Sequence, residues 1–362
     1  MGRQLFPALL LSAVLLGLAS WGWPGSSDEP GQPIREFEFA VIGDLPYNAA
    51  EEAKFSELIA AIDRTKVIFV VHTGDFKSGS SPCTDELFEQ RYGLFQTFKR
   101  PLIFVFGDNE WTDCHRTGSN PLERLAKLRE IFTRGNSSLG HDPLQLTRQS
   151  DNPLYSKFRE NVRWSVGRVT FVGLNIPGSN NNFPTTLPGG VTVGNLEEYT
   201  ERNAANLTWM RESFALAIHD GSPGLMLFIQ GNPFPFTPSD NDLNGFEEFL
   251  VALEEETLKF VKPVVLAHGD SHYFRVDKPL PRPDRAWSTP PGWKTSAPLT
   301  CSGCAASPTP AIRHCSASSP RSCHKVRRPD ALEALWTKDG SREFLIILDV
   351  HGFRTRNPVT FF

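Results

Sequence analysis

The sequence has no excess of positive charge. It carries 37 Lys and Arg against 41 Asp and Glu, for a formal net charge of −4 and a pI near 6.2. A protein that binds duplex nucleic acid normally presents a basic face, so this balance argues against such a partner. With 40% hydrophobic and 22% charged residues, the composition also excludes collagen-like, coiled-coil and wholly disordered chains.

Motifs of several common enzyme classes are absent as well. The sequence has no glycine-rich Walker loop, and it has no nucleophile elbow of the kind that presents a catalytic serine. A peptidase or lipase-like hydrolase is therefore a remote interpretation.

Long apolar runs are absent except at the N-terminus, where one extends from Leu5 to Leu18. A membrane-spanning helix needs about 20 apolar residues, and this run is shorter. It is followed by small residues around Ala19, which suit a signal peptidase. We predict a signal peptide over residues 1–20 and a flexible lead-in over 21–35. The mature chain would then be secreted or periplasmic, without a stable membrane anchor; an uncleaved anchor is the alternative.

Strand and helix patterns alternate through residues 36–280. Continuous β-branched and aromatic strands such as Val67–Val71 and Leu102–Phe106 alternate with segments of helical spacing such as Asp85–Phe98, for which Thr84 is a plausible N-cap. Such strands indicate a largely parallel sheet covered by helices on both faces.

The second half of this domain predicts a meander of strands over Tyr155–Phe158, Val162–Val166 and Val169–Leu174. A long helix at Glu197–Ala217 follows the meander. Further strands and a helix then extend to residue 276.

Residues 281–330 differ sharply in composition, since Pro, Ser, Ala, Arg and Cys dominate. Such a segment buries too little apolar surface to offset its ordering entropy, and we predict that it is disordered or aberrant. One hypothesis is out-of-frame translation, which an intact frame on resequencing would exclude. A zinc module beginning at Cys301 and Cys304 is a weak alternative because the later spacing matches no common type. Order returns over 331–362, with a C-terminal helix and strands.

Acidic side chains follow glycines at the carboxyl ends of four predicted strands. The motifs are Gly43-Asp44, Gly74-Asp75, Gly107-Asp108-Asn109-Glu110 and Gly269-Asp270-Ser271-His272. Singly, each Asp is explained as a turn or cap residue, and the His as a structural one. Open α/β sheets collect ligands at this edge, however, and converging carboxylates repel one another unless a cation is bound. Together the four motifs predict a metal site.

This pattern resembles the calcineurin-like metallophosphoesterases over roughly residues 36–276. The resemblance implies a four-layer α/β/β/α sandwich of two mixed sheets, with a two-metal centre between the sheet edges. The family motifs read D-x-H, G-D-x-x-D, G-N-H-D/E and G-H-x-H. Asp44 and Asp75 match the metal-binding Asp of the first two, Glu110 the end of the third and His272 the end of the last.

The chain departs from the family pattern at several ligand positions. Pro46 and Gly231 stand where the family has metal-binding histidines, and Ser78 stands at the second Asp of the second motif. Asn109 replaces the His that assists catalysis. Asp108 and Asp270 replace a metal-binding Asn and His.

The resemblance implies two sets of metal ligands that share one residue. One ion would be held by Asp44, Asp75 and His272, and the other by Asp75, Asp108 and Asp270. Because carboxylates have largely replaced nitrogen ligands, we expect one or two divalent ions, with Mn²⁺, Mg²⁺ or Ca²⁺ favoured over Zn²⁺.

By resemblance, the protein is an exported enzyme that hydrolyses a small phosphomonoester or phosphodiester through a metal-bound hydroxide. Asp75, as the bridging ligand, and Asn109, as a donor to a phosphate oxygen, are the expected catalytic residues. Asn109 cannot supply a proton, and general acid catalysis is worth about 10²–10⁴-fold. Hydrolysis should therefore be slow or limited to good leaving groups unless His72, His115 or His268 substitutes. The alternative is a non-catalytic metal- or ligand-binding protein with the same fold.

Two cysteines lie near the predicted site. Cys83 and Cys114 follow neighbouring strands on the same edge, and an exported protein can keep them oxidised. We therefore predict a disulfide that joins two loops of the site.

Overall fold

Two β-sheets form the centre of the fold. The computed structural model describes residues 37–234 and 244–272, with the backbone of three short strands further along the chain. In the first sheet, β1 (Glu38–Ile42), β2 (Val70–His72) and β3 (Leu102–Phe104) are parallel, and β13 (Ile346–Asp349) pairs antiparallel with β1. The order across this sheet is β13-β1-β2-β3.

The second sheet has five strands. They are β4 (Thr147–Arg148), β5 (Val162–Val166), β6 (Val169–Gly173), β9 (Leu225–Phe228) and β10 (Val264–Ala267). The order is β10-β9-β6-β5-β4, with the first three strands parallel and the other pairs antiparallel. Both sheets are thus mixed, and the mixed α/β class is confirmed.

The helices connect the strands of both sheets. They are α1 (Ala49–Asp63), α2 (Asp85–Phe95), α3 (Pro121–Phe132), α5 (Leu196–His219) and α6 (Asn244–Phe260), together with a single turn, α4 (Gly178–Asn181). Thr84 caps α2 as predicted, because its hydroxyl accepts from Leu87 N at 3.2 Å. No helix in the described part of the chain is both long and apolar enough to cross a bilayer.

Three apolar clusters accompany the two sheets. One combines residues of both sheets, and Phe39 meets Phe171 there with ring centroids 5.5 Å apart. The alternate strand residues, such as Ala40 and Ile42, pack with helix residues such as Phe55 in a second cluster. The third cluster joins the second sheet to α5 and α6. Strands buried on both faces explain the continuous apolar runs in the sequence. The four-layer order remains a prediction with which these clusters agree.

One predicted strand is absent. β5 and β6 form as predicted, whereas the chain just before β5 makes a 3₁₀ turn at Pro153–Tyr155. Pro153 fixes a φ that suits this turn, and the Asn152 side chain accepts from Leu154 N at 3.1 Å. Local turn chemistry therefore overrides the apolar character of Tyr155–Phe158.

Two small antiparallel pairs complete the described strands. β7 (Thr185–Thr186) pairs with β8 (Thr192–Val193), and β11 (Arg313–Cys315) pairs with β12 (Cys323–Lys325) inside the compositionally unusual segment. The rest of residues 281–330 lies outside the described residues. So do the predicted signal peptide and lead-in, residues 273–276 at the end of the predicted strands, and the predicted C-terminal helix.

Candidate metal centre

The acidic residues stand on tight turns that directly follow the strands. Asp44 follows β1, Asp75 lies three residues after the end of β2, and Asp270 lies just beyond β10; their φ angles are 58°, 62° and 70°. Asp tolerates this left-handed region better than most residues because its short polar side chain bonds locally. The turns bring acids from both sheets to one edge, where Asp270 N donates to Asp44 Oδ1 at 2.9 Å.

Three of the five predicted ligands converge there. Asp75, Asp108 and Asp270 each offer an oxygen, and these atoms lie within 4.8 Å of one another. Asp75 and Asp108 are buried, and Asp270 is partly buried. The predicted metal set of three carboxylates is therefore brought together by the fold.

Two glycines allow the backbone to approach these carboxylates. A Cβ on Gly178 would lie 2.6 Å from Asp108 Oδ2, and one on Gly107 would overlap Asp75 Oδ1. Any side chain at either position would displace a carboxylate, which explains why glycine stands there.

Gln230, which follows β9, lies between two of the carboxylates and was not singled out from the sequence. Its Nε2 donates to Asp75 Oδ2 at 3.1 Å and to Asp108 Oδ1 at 3.2 Å, and the residue is fully buried. Gly231, where the resemblance places a metal-binding histidine, offers no side chain. It is the preceding residue, Gln230, whose side chain reaches the site.

Asn109 also turns its side chain towards Asp75. Its backbone N donates to Asp75 Oδ1 at 3.1 Å and its Nδ2 donates to Asp75 Oδ2 at 2.8 Å. Its Oδ1 lies towards Gly79, since a Cβ added there would be 2.7 Å from this oxygen and 2.8 Å from Arg116 Nη1. Asn109 thus orients Asp75, and its Oδ1 and the guanidinium of Arg116 both lie next to Gly79.

Glu110 and Lys77 stabilise the loop from within. The Glu110 carboxylate accepts from the backbone N of Asp75 at 3.1 Å, and Lys77 Nζ donates to the carbonyl of Asn109 at 2.6 Å. Both side chains are buried. Glu110 therefore supports the ligand loop, and Lys77 lies inside that loop.

The other two predicted ligands, Asp44 and His272, lie at the exposed side of the site. His272 Nε2 is 3.6 Å from Asp44 Oδ1 and 2.8 Å from the hydroxyl of Tyr47. Hydrogen bonding to Asp44 raises the pKa of His272. Burial, together with the charge of Asp75, raises the pKa of Tyr47, so the hydroxyl keeps its proton.

Crowded, buried carboxylates perturb one another strongly in the absence of a cation. Burial, and then the charge of Asp108, raises the pKa of Asp75 well above its ordinary value, and burial with Asp270 nearby does the same to the pKa of Asp108. Burial with the charge of Asp44 raises the pKa of Asp270 to about 6. Burial alone raises the pKa of Glu110 to about 7. Burial is the largest cause of each shift, and the charges of neighbouring carboxylates add to it for Asp75, Asp108 and Asp270. A divalent cation would relieve that repulsion.

A left-handed turn supports Asp108 from the second sheet. Residues 179–182 all have positive φ. Ser179 Oγ lies 2.8 Å from Asp108 Oδ2 and 2.7 Å from Asp113 Oδ1, and its one hydroxyl proton is shared between the two carboxylates. The buried guanidinium of Arg202 holds this turn through Asn181 Oδ1 at 2.6 Å and the Asn181 carbonyl at 2.8 Å. Asp113 in turn pairs with Arg116 at 2.8 Å.

The three histidines proposed as substitute acids have ordinary partners. His72 is buried, with Nε2 2.9 Å from the Leu45 carbonyl and Nδ1 accepting from Gly74 N at 3.2 Å. Burial lowers the pKa of His72 to about 4, so it is a neutral structural histidine. His115 Nδ1 contacts the Thr112 carbonyl at 2.8 Å, and His268 Nδ1 the Gly269 carbonyl at 3.1 Å.

The predicted disulfide between Cys83 and Cys114 is present, with Cα atoms 5.8 Å apart. Both sulfur atoms lie 3.7 Å from the carbonyl of Asn109. The bridge therefore packs against the loop that carries Asp108 and Asn109.

Comparison with known proteins identifies the family. The family model for calcineurin-like phosphoesterases matches residues 37–274. This chain belongs to that family. Among solved structures, the chain is similar to a dimetal phosphatase from Danio rerio, with 14% identity and a TM-score of 0.37; the match covers 67% of this chain and 82% of that one. No curated protein sequence matches the chain.

In this calcineurin-like phosphoesterase, the three converging carboxylates fit a divalent cation. Their oxygens are close together, largely buried and mutually repelling, and an all-oxygen set suits Mn²⁺, Mg²⁺ or Ca²⁺. Asp44 and His272 do not belong to this group of converging oxygens. The individual ligand and catalytic roles of all five residues, and of Asn109, remain predictions.

Proposed function

We propose that the protein is an exported, metal-dependent phosphoesterase that hydrolyses a small phosphomonoester or phosphodiester. The observation that supports this most directly is the Asp75–Asp108–Asp270 cluster at the sheet edge of a calcineurin-like phosphoesterase. These residues would hold the cation. A bound divalent ion supplies Lewis acidity towards a phosphoryl oxygen and lowers the pKa of water.

The residues around the cluster have separable tasks in this proposal. Asn109 and Gln230 orient Asp75 through hydrogen bonds, and Ser179 orients Asp108. Arg116 is the cation at the rim. Its side chain is 52% exposed, and although one guanidinium nitrogen pairs with Asp113 at 2.8 Å, the remaining N–H donors would meet an anionic ester oxygen. Its position beside Asn109 Oδ1 makes it the protein group that offsets the negative charge of the site towards the substrate.

Proton supply to the leaving group is the weak point of this site. Asn109 has no proton to give, and His72 is buried with both ring nitrogens engaged. Activated aryl esters, whose leaving groups need no proton, should therefore be turned over faster than alkyl esters by roughly the 10²–10⁴-fold that a general acid contributes.

The same observation supports a second candidate, a non-catalytic protein that captures a metal or a phosphate-containing ligand. In that case the donor array around Asp75 maintains a binding site without turnover. A metal titration that saturates, combined with no hydrolysis across a panel of aryl and alkyl phosphoesters, would favour this candidate.

A bis-aryl phosphate assay tests the enzyme directly. Mass spectrometry first locates the N-terminus of the mature protein, which we expect near residue 21. The mature protein is then assayed with Mn²⁺ or Mg²⁺, and separately with a chelator. We expect metal-dependent turnover that falls by at least about a hundredfold in Asp75→Ala, because a preorganised electrostatic partner is lost. The control is Asp220→Ala, at the exposed end of α5. Equal losses of activity in Asp75→Ala and Asp220→Ala, or turnover that is unchanged by the chelator, would count against the proposal.

A further inference from the structure

The side-chain amide of Gln230 has only one favourable orientation. Its Oε1 accepts from the backbone N of Asp108 at 3.2 Å and from that of Gly178 at 2.5 Å, whereas Nε2 faces the two carboxylates. Rotating the amide by half a turn would place NH₂ against two N–H donors and the oxygen against two carboxylates. Gln230 is therefore a donor to Asp75 and Asp108 and cannot offer its oxygen to a cation.

The donor role of Gln230 changes what holds the carboxylates together. Nε2 bridges an oxygen of Asp75 and an oxygen of Asp108, which lie on different loops. Each carboxylate keeps a second oxygen, and Asp270 completes the converging group. The amide thus stabilises the three-carboxylate arrangement by bridging two of its members.

The second set of expected ligands does not converge as the first does. His272 Nε2 meets the Tyr47 hydroxyl at 2.8 Å, and Asp44 Oδ1 accepts from Asp270 N at 2.9 Å. Pro46 stands where a further histidine is expected from the family pattern. This side of the site consequently offers no converging set of ligand atoms among the described residues.

We propose that the chain binds one divalent cation, on Asp75, Asp108 and Asp270, with Gln230 as the positioning residue, and that His272 is not a ligand. This inference rests on the proposed metal dependence but not on turnover. It replaces a two-ion centre with a single ion and an amide bridge.

Metal stoichiometry of the full mature chain is the decisive measurement. Mn²⁺ is titrated into chelator-treated protein and followed by calorimetry, native mass spectrometry and electron paramagnetic resonance. We expect one Mn²⁺ per chain and a spectrum without exchange coupling. Two bound ions would overturn the inference and leave the proposed enzyme standing. No binding at all would instead refute the metal dependence from which both follow.

Two substitutions in the motif Gly269-Asp270-Ser271-His272 distinguish a metal ligand from a residue that only lies nearby. Substituting a residue that holds a ligand in place typically lowers metal affinity about 10–100-fold, and loss of a ligand itself should lower it at least as much. Asp270→Asn should therefore lower Mn²⁺ affinity at least about tenfold, whereas His272→Gln should change it by less than about threefold. A loss in His272→Gln that equals the loss in Asp270→Asn would overturn the assignment.

Gln230 itself is tested by two substitutions with opposite expected results. Gln230→Leu should lower Mn²⁺ affinity about 10–100-fold because the carboxylates lose their shared donor. Gln230→Glu keeps the oxygen that accepts from Asp108 N and Gly178 N but turns a new carboxylate oxygen to the ion, so affinity should rise. The control is Gln149→Leu, another buried glutamine, whose Nε2 donates to the Ala205 carbonyl at 2.7 Å.

The Gln230→Glu result remains decisive if Gln230→Leu does not fold. Circular dichroism of both variants is compared with that of the wild type. Unchanged or lower Mn²⁺ affinity in folded Gln230→Glu would show that this side chain does not face the cation.

Discussion

Asp75 accepts three hydrogen bonds from uncharged groups: the backbone N and Nδ2 of Asn109 and Nε2 of Gln230. Neutral donors of this kind favour the charged form of a carboxylate without neutralising it. They explain how Asp75 remains beside Asp108 in the protein before any cation is bound. Burial and the neighbouring charges still raise the pKa of Asp75, so the donors offset only part of the repulsion.

Arg116 gives a prediction at the same scale. Arg116→Ala should raise KM for an anionic phosphoester about tenfold and change kcat less, because a hydrogen bond to a charged group is worth about 1.5–3 kcal/mol and this one is half-exposed. Steady-state kinetics with Mn²⁺ measures both constants. The matched control is Arg134→Ala. The Arg134 side chain is 50% exposed and pairs with Glu89, 45 residues away in the sequence, at 2.9 Å. Equal KM values in the two variants would contradict the rim role.

Sequence reasoning found the acids and missed their partners for physical reasons. Asp44, Asp75 and Asp270 each lie close to a glycine at a strand end, which is a local signal. Gln230 also directly follows the strand region of β9, but its role depends on contacts with Asp75 and Asp108, which are more than a hundred residues away in sequence. No local pattern distinguishes it from a surface glutamine.

Among the elements, β13 and the 3₁₀ turn at Pro153–Tyr155 show where the pattern of apolar residues predicts a strand correctly and where it does not. Strands were predicted within residues 331–362, and β13 forms there and pairs with β1. The meander strands β5 and β6 were also predicted. The turn at Pro153 was not, since capping by Asn152 outweighs a short apolar run.

The disulfide between Cys83 and Cys114 joins the segment before α2 to the 3₁₀ turn Thr112–Thr117, and we expect it to stabilise the fold. The cysteines are 31 residues apart, and a bridge closing such a loop is worth about 3.7 kcal/mol on loop-entropy grounds. Cys83→Ala/Cys114→Ala should therefore lower the free energy of unfolding by roughly that amount in urea titrations. Wild-type protein unfolded with a thiol reductant should approach the double variant. A difference below about 1 kcal/mol would show that the loops are held by other contacts.

For the whole molecule, the raised carboxylate pKa values predict how metal-free stability depends on pH. In the folded chain the pKa of Glu110 is about 7 and that of Asp270 about 6, and both exceed the ordinary values. A group whose folded pKa is raised binds protons more tightly when folded, so its contribution is present at low pH and lost as pH rises through the folded value. His72, whose pKa is lowered to about 4, acts oppositely but only below its ordinary value of 6.5.

Metal-free protein should therefore lose roughly 1–3 kcal/mol of unfolding free energy between about pH 6.5 and pH 8, measured by urea titration with a chelator. Saturating Mn²⁺ should remove most of this loss, because the cation takes the place of the protons. Asp75→Asn should make the unfolding free energy, measured with the chelator, depend less on pH. A metal-free stability that rises across this interval would contradict the assigned shifts.

The backbone angles at the strand ends restrict how this protein can be re-engineered. Asp44, Asp75, Asp270 and His272 all have left-handed φ, a region in which β-branched side chains are rare outliers. A mutant library aimed at a different ion preference should sample Asn, Gly and His at the three aspartates and omit Val, Ile and Thr. Variants with Val, Ile or Thr at these positions would lose activity through misfolding, so they would give no information about ion selectivity.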